Sequence, residues 1–139
     1  MEADAELVER LRAACAEILP GLPVRVAYLY GSRVTGRPRP DSDVDVGLLL
    51  DRPSAGIESH VADALTAASG VGGIEVTVLD GAPLRFLGRV LRGRVVLYSR
   101  DEPFRVEWES VTGRMADDVE IWAAPLDREL VARAAEGRG

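Results

Sequence analysis

The chain has 139 residues, of which 47% are hydrophobic and 29% are charged, as is usual for one folded domain and unlike a disordered segment. Its formal net charge of −6 argues against a protein that wraps a nucleic-acid backbone, because such proteins need a basic surface. No apolar run approaches the roughly 20 residues of a membrane helix and no signal-peptide pattern is present, so we expect a cytoplasmic protein without membrane contact. The single cysteine, Cys15, excludes an internal disulfide and is expected to pack in the core.

Apolar periodicity and the positions of Gly and Pro predict alternating helices and strands. In chain order they are a helix over 3–19, strands over 24–30 and 44–50, a helix over 57–68, a strand over 74–79, a helix over 83–92, a strand over 94–98 and a helix from Pro103. A short helix after Ser32 would be broken by Pro38 and Pro40, and Pro125 is expected to end the last long helix before a shorter one over 126–135. This order predicts an α/β or α+β fold with a four-stranded mixed sheet packed with helices.

Two predictions concern which way side chains point. Alternation in the first strand places Val24, Val26 and Tyr28 on one face. The last helix carries an apolar stripe that is expected to pack mainly on the sheet, although part of it could meet a partner. That stripe consists of Phe104, Trp108, Val111, Met115, Val119 and Trp122.

Asp43 and Asp45 stand two residues apart at the start of the second strand. Side chains at this spacing point to the same face of a strand, so both carboxylates can reach one metal centre. Mg²⁺ prefers a few carboxylates together with phosphate oxygens and water, which this pair allows. The alternative is a solvated turn followed by a strand edge, and the pair by itself does not decide between the two.

Gly31 and Ser32 directly follow the first strand. A glycine there lets the backbone approach a ligand closely, and the amides and hydroxyl that follow it favour an anion such as a phosphate. A simple turn with Ser32 as a helix cap is the alternative. The combination of Gly-Ser, ten residues and Asp-x-Asp entering a strand is much more specific than either part.

Glu75 is the candidate for a third carboxylate. In the third strand, Glu75 and Thr77 lie on the face opposite the apolar residues, so Glu75 can join the two aspartates if this strand neighbours the second. There it could bind an ion or accept a proton from an attacking hydroxyl. An ordinary solvent-facing position is the alternative.

The residues Gly31-Ser32 and Asp43-Val44-Asp45 resemble the GS-x10-DxD signature of the DNA polymerase β-like nucleotidyltransferase superfamily, and the chain is most similar to its minimal nucleotidyltransferase (MNT) branch. The resemblance covers roughly residues 5–100 and implies a single nucleotidyltransferase domain over 1–139, with a helical extension over about 103–136. By this resemblance Gly31, Ser32 and Arg33 would contact the triphosphate of ATP, while Asp43, Asp45 and Glu75 would be catalytic and hold Mg²⁺, as two ions. Glu75 departs from the family, which usually has Asp there.

The resemblance also implies a function. Small members of this branch often act as antitoxins beside a HEPN-domain toxin, to whose tyrosine they transfer AMP from ATP. We therefore expect a protein adenylyltransferase with a HEPN toxin as partner. Two alternatives remain open, namely an antitoxin that masks its toxin sterically without catalysis and an adenylyltransferase for a small molecule. His60 receives no role.

Overall fold

The computed structural model describes residues 5–31 and 44–137, with side chains described as far as Glu120. The elements follow in the order α1 (Ala5–Ile18), a 3-10 turn (Leu19–Gly21), β1 (Val24–Tyr30), β2 (Val44–Leu50), α2 (Ile57–Ser69), β3 (Ile74–Val78), α3 (Leu84–Arg92), β4 (Val95–Ser99) and α4 (Glu102–Gly137). Apart from the end of α4, these elements match the predicted ones to within two residues where their ends are described. The helix predicted to follow Ser32 lies outside the described residues.

The strands form a four-stranded mixed sheet, as predicted, and their order is β3-β2-β1-β4. β1 runs antiparallel to both β2 and β4, whereas β2 and β3 are parallel. Two parallel neighbours need a long crossover between them, and α2 supplies it. Gly70 ends α2 in a left-handed conformation, with its N–H donating to the carbonyl of Thr66.

Helices cover both faces of the sheet and create two apolar clusters. α1 and α2 pack on one face, where Leu11, Leu48 and Leu65 are fully buried. α3 and the first part of α4 pack on the other face. Cys15 is fully buried in the first cluster, and burial raises the pKa of its thiol to about 12, so the thiol stays protonated and serves packing.

The prediction that Val24, Val26 and Tyr28 share one face is wrong for Val24. The pairing of β1 with β2 shifts its register between Val24 and Val26, which leaves Arg25 as an extra residue. Such a bulge reverses the alternation of side chains. Val24 therefore packs in the cluster of α1 and α2, while Val26 and Tyr28 pack in the cluster of α3 and α4.

The prediction that Pro125 ends the long helix is also wrong, because α4 continues from Glu102 to Gly137. An internal proline removes one backbone hydrogen bond and costs about 3 kcal/mol, but neighbouring residues with high helix propensity can offset this. Ala123 and Ala124 precede Pro125, and Leu126 follows it. Although α4 is long, no helix among the described residues is apolar enough to cross a membrane.

The predicted apolar stripe of α4 is half-buried at its beginning and exposed in its middle, and Val119 farther along is half-buried. Phe104 and Trp108 pack against the second cluster, where the Trp108 ring stacks 6.0 Å from that of Tyr28. Val111 and Met115 are instead 39% and 48% exposed. Val111 and Met115, which were expected to pack mainly in the core, therefore lie on the surface.

Small residues determine where α4 meets α3. Thr112 and Ala116 are buried in place of the larger stripe residues. A Cβ atom placed on Gly88 of α3 would lie only 3.0 Å from the Cβ of Ala116, so the absence of that atom permits the close approach. The side chain of Trp122, the last residue of the predicted stripe, lies outside the described residues.

A polar network around Glu109 ties α4 to the sheet. The Tyr28 hydroxyl donates to Glu109 Oε2 at 2.8 Å, and Arg94 and Arg105 donate to the same carboxylate at 2.5 and 2.8 Å. Burial would raise the pKa of Glu109, but the hydrogen bonds from Arg94, Tyr28 and Arg105 outweigh it, so the pKa is lowered. The Glu109 carboxylate therefore stays charged, and these three donors satisfy its hydrogen-bonding capacity between α4 and the sheet.

Candidate active site

Two predicted site carboxylates lie side by side on neighbouring strands. Asp45 of β2 and Glu75 of β3 are register partners in the parallel pair. Partners in adjacent strands have backbones about 4.8 Å apart and point to the same face of the sheet. Asp45 is half-buried and Glu75 is exposed, so both can be reached by a ligand.

Gly31 brings the end of β1 against the same carboxylate. Tyr30, the last residue of β1, is the register partner of Asp45 on its other side, and Gly31 follows with φ +85°. A Cβ atom on Gly31 would lie 3.3 Å from Asp45 Cγ and closer still to Asp45 Oδ2. The missing side chain of Gly31 therefore makes room for the Asp45 carboxylate.

Tyr30 completes this polar face of the sheet. Its ring meets the Phe86 ring edge-on with centroids 5.9 Å apart. Burial is the main cause that raises the pKa of Tyr30. The negative charges of Asp45 and Glu75 raise it further, and the nearby Thr77 hydroxyl opposes them.

The donor set fits a hard divalent cation. Two carboxylates this close repel one another, and a cation between them removes that repulsion. Carboxylate oxygens with open positions for water and phosphate are what Mg²⁺ prefers. In the part of the chain that the structure describes, no group of three or more His, Cys, Asp or Glu side chains comes together. Among these residues, Asp45 and Glu75 are therefore the carboxylates that could bind the cation.

Three of the predicted site residues, Ser32, Arg33 and Asp43, lie outside the described residues. Their roles remain predictions from the sequence. Gly31 and Val44, which adjoin this segment, are both described, and the Val44 N–H donates to the Gly73 carbonyl at 2.9 Å. The ladder between β2 and the chain entering β3 therefore extends to the residue next to Asp43.

Two other acidic residues, Asp80 and Asp51, lie at the far end of the sheet and have structural partners there. Asp80 Oδ1 accepts the backbone N–H of Leu50 at 3.0 Å. Asp51 pairs with Arg25 at 2.9 Å and also with Arg100. His60 is exposed on α2 and stays without a role.

Sequence reasoning gave no role to Tyr30, which the register places directly beside Asp45. Alternation along β3 places Thr77 on the face of Glu75, but it does not show that Tyr30 lies on the same face two strands away. That placement depends on the strand order, because β2 must lie between β1 and β3. A tyrosine next to the Gly-Ser pair was the available signal.

Solved structures of similar fold were found at low sequence identity. A tri-AMPylated Shewanella oneidensis HEPN toxin in complex with MNT antitoxin matches with a TM-score of 0.67 at 15% identity, covering 90% of this chain and 98% of that one. A mutant MntA–HpeT toxin–antitoxin pair matches with a TM-score of 0.69 at 14% identity, covering 89% and 98%. A toxin–antitoxin structure with AMP-PNP gives 0.67 at 16% identity, also covering 89% and 98%. At this identity the likeness shows a shared fold.

The sequence itself carries the family assignment. A sequence comparison with curated proteins gives no significant match. Residues 14–103 match the family described as polymerase beta, nucleotidyltransferase, which is well over half of the chain and includes β1 to β4 with Gly31, Asp45 and Glu75. The chain therefore belongs to the polymerase beta nucleotidyltransferase family.

Proposed function

We propose that this protein is an Mg²⁺-dependent adenylyltransferase that moves AMP from ATP to a tyrosine hydroxyl of a HEPN toxin and thereby acts as its antitoxin. The observation that carries the proposal is the pairing of Asp45 with Glu75 beside Gly31 in a nucleotidyltransferase domain. The similar folds of an MNT antitoxin bound to a tri-AMPylated HEPN toxin and of a toxin–antitoxin structure with AMP-PNP support it.

In this proposal Asp45, Glu75 and Asp43 hold Mg²⁺, while Gly31, Ser32 and Arg33 contact the triphosphate. Bound Mg²⁺ would neutralise phosphate charge and stabilise the attacking and leaving oxygens. Because charge and position supply most of the catalysis in phosphoryl transfer, the rigid strands that carry Asp45 and Glu75 suit this chemistry.

The transfer itself balances without any further reactant. The tyrosine oxygen forms a bond to the α-phosphorus of ATP, and the bond from that phosphorus to the pyrophosphate oxygen breaks. Pyrophosphate leaves with the electron pair, and the hydroxyl proton passes to the Glu75 carboxylate or to water. The products are AMP-tyrosine and pyrophosphate.

Label transfer from α-labelled ATP to a co-purified HEPN toxin tests the proposal. Asp45→Asn should abolish transfer, and Glu75→Gln should slow it at least about 100-fold, because each change removes a charge from the site. Asp51→Asn is the matched control for the first and Glu58→Gln for the second, because both lie away from this face. Wild-type rates for Asp45→Asn would refute the metal site.

Steric masking of a toxin without transfer is the second candidate. The exposed apolar side chains Val106, Val111 and Met115 on α4 favour it, because they offer a surface for a partner protein. The mass of the toxin after incubation with ATP and Mg²⁺ separates the two functions. A gain of AMP units means transfer, whereas neutralisation at unchanged mass means masking.

A further inference from the structure

α3 lies on the face of the sheet to which the two carboxylates point. Asp45 pairs with Tyr30 on one side and with Glu75 on the other, and register partners share a face. Tyr30 packs in the cluster of α3 and α4, which identifies that face. A ligand of Asp45 and Glu75 therefore approaches from the side of the sheet that carries α3.

Two ring contacts lead from this end of the sheet to Arg89 on α3. The Phe86 ring meets the Tyr30 ring edge-on with centroids 5.9 Å apart. The guanidinium carbon of Arg89 lies 5.8 Å from the centroid of the Phe86 ring, and the two residues are three positions apart on one side of the helix. Tyr30 and Phe86 are half-buried, whereas Arg89 is exposed. Arg89 is thus a solvent-accessible cation close to the candidate site.

Arg89 has no carboxylate partner among the residues that the structure describes. Its neighbour Arg85, by contrast, pairs with Glu120 at 3.1 Å. Asp45 and Glu75 bring negative charge to a site that is proposed to take a triphosphate, so the triphosphate needs positive side chains as well as the cation. The sequence contains no lysine, so arginines are the side chains that can carry this charge.

Contact with Phe86 prepares the Arg89 guanidinium for a phosphate. A guanidinium within about 6 Å of a ring centroid is attracted to the ring, and a flat group over a ring keeps its N–H donors free at its edge. Those donors can bind two phosphate oxygens at once. Because the contact with Phe86 already restrains this long side chain, it loses less freedom when a phosphate binds.

We propose that Arg89, supported by Phe86, binds a phosphate of the nucleotide and forms the side of the binding site that α3 contributes. This inference rests on the proposed function, because it assigns the phosphate to the nucleotide of the same site. It adds a binding residue from a helix, whereas the proposed function depends on the strands that carry Asp45 and Glu75 and on the segment after β1.

Binding of ATP and of inorganic triphosphate, each with Mg²⁺, tests the inference by isothermal titration calorimetry on the protein without a toxin. Arg89→Ala should raise the Kd for both ligands about 10-fold, because it removes hydrogen bonds between charged groups. Arg89→Lys should restore only part of the affinity, since a lysine keeps the charge but lacks the planar pair of donors. Phe86→Leu should raise both Kd values about threefold, because it removes the ring beneath the guanidinium.

Arg92→Ala is the matched control. Arg92 is also an exposed arginine of α3, but its Nη1 lies 4.0 Å from the position of a Cβ atom on Gly88, which faces Ala116 of α4. The affinity of this variant for both ligands should equal that of wild type. An equal loss in Arg92→Ala and Arg89→Ala would mean that net charge alone matters, and it would overturn the inference.

The remaining outcomes separate this inference from the proposed function. Wild-type affinity of Arg89→Ala for both ligands would overturn the role of Arg89 and leave the proposed function intact, and a loss for ATP alone would overturn the phosphate contact. A wild-type chain that binds ATP but transfers no AMP to the toxin, with the Arg89→Ala loss still present, would refute only the proposed function. No binding of either ligand by wild type would overturn both.

Discussion

Substitution of Gly31 by alanine tests the close approach between the end of β1 and the Asp45 carboxylate. The methyl group would lie 3.3 Å from Asp45 Cγ and closer to Asp45 Oδ2, so the carboxylate must move. A displacement of about 1 Å in an active site can cost about 100-fold in rate. We expect Gly31→Ala to lower kcat/KM for AMP transfer by about that factor.

The same substitution also strains the backbone. Gly31 has φ +85°, where an alanine costs about 1–2 kcal/mol. A loss of activity through partial unfolding must therefore be separated from a loss through the displaced carboxylate.

Gly56→Ala provides that separation. Gly56 has φ +76°, but a Cβ atom there meets nothing within 4 Å, and the residue lies before α2, away from Asp45. Both variants should lose about 1–2 kcal/mol of unfolding free energy in urea. Only Gly31→Ala should lose label transfer from α-labelled ATP per folded molecule, and equal transfer by the two variants would refute the reasoning.

Three further predictions concern stability, measured by urea unfolding. Tyr28→Phe should lower the free energy of unfolding by about 1.5 kcal/mol, because it removes a hydrogen bond to the charged Glu109 carboxylate. An unchanged free energy would mean that this hydrogen bond does not stabilise the fold. Since the pKa of Glu109 is lowered in the folded state, its contribution should be present above about pH 4.3 and fade as pH falls further. The gap between wild type and Glu109→Gln should therefore be smaller at pH 3 than at pH 7. Gly47→Ala should cost about 1–3 kcal/mol, because its methyl would lie 2.8 Å from Leu79 Cδ1, and the added change Leu79→Val should restore part of the loss.

The sequence predicts the elements well because each has a local cause. Apolar spacing and the stops at Pro20 and Gly70 determine α1 and α2 without reference to the rest of the chain. The errors come from causes that are not local. The bulge at Arg25 depends on pairing with β2, and the exposure of Met115 depends on how closely α4 approaches α3.

The features of the candidate site also have either local or non-local causes. Alternation along β3 places Glu75 opposite the apolar face, which a single sequence can reveal. Whether Glu75 lies beside Asp45 depends on the strand order, which the sequence does not determine. The edge-on contact of Tyr30 with Phe86 joins the end of β1 to α3, so no pattern along the chain predicts it.

The topology explains why three separate segments supply one site. β1 runs antiparallel to β2 and so ends at the end of the sheet where β2 begins, which places Gly31 beside Asp45. α2 returns the chain to that same end, so β3 starts there too and runs parallel to β2. Glu75 therefore lies beside Asp45. A shift of β3 by one residue would turn Glu75 to the opposite face. The packing of α2, although on the other side of the sheet, therefore fixes the register on which the pair of carboxylates depends.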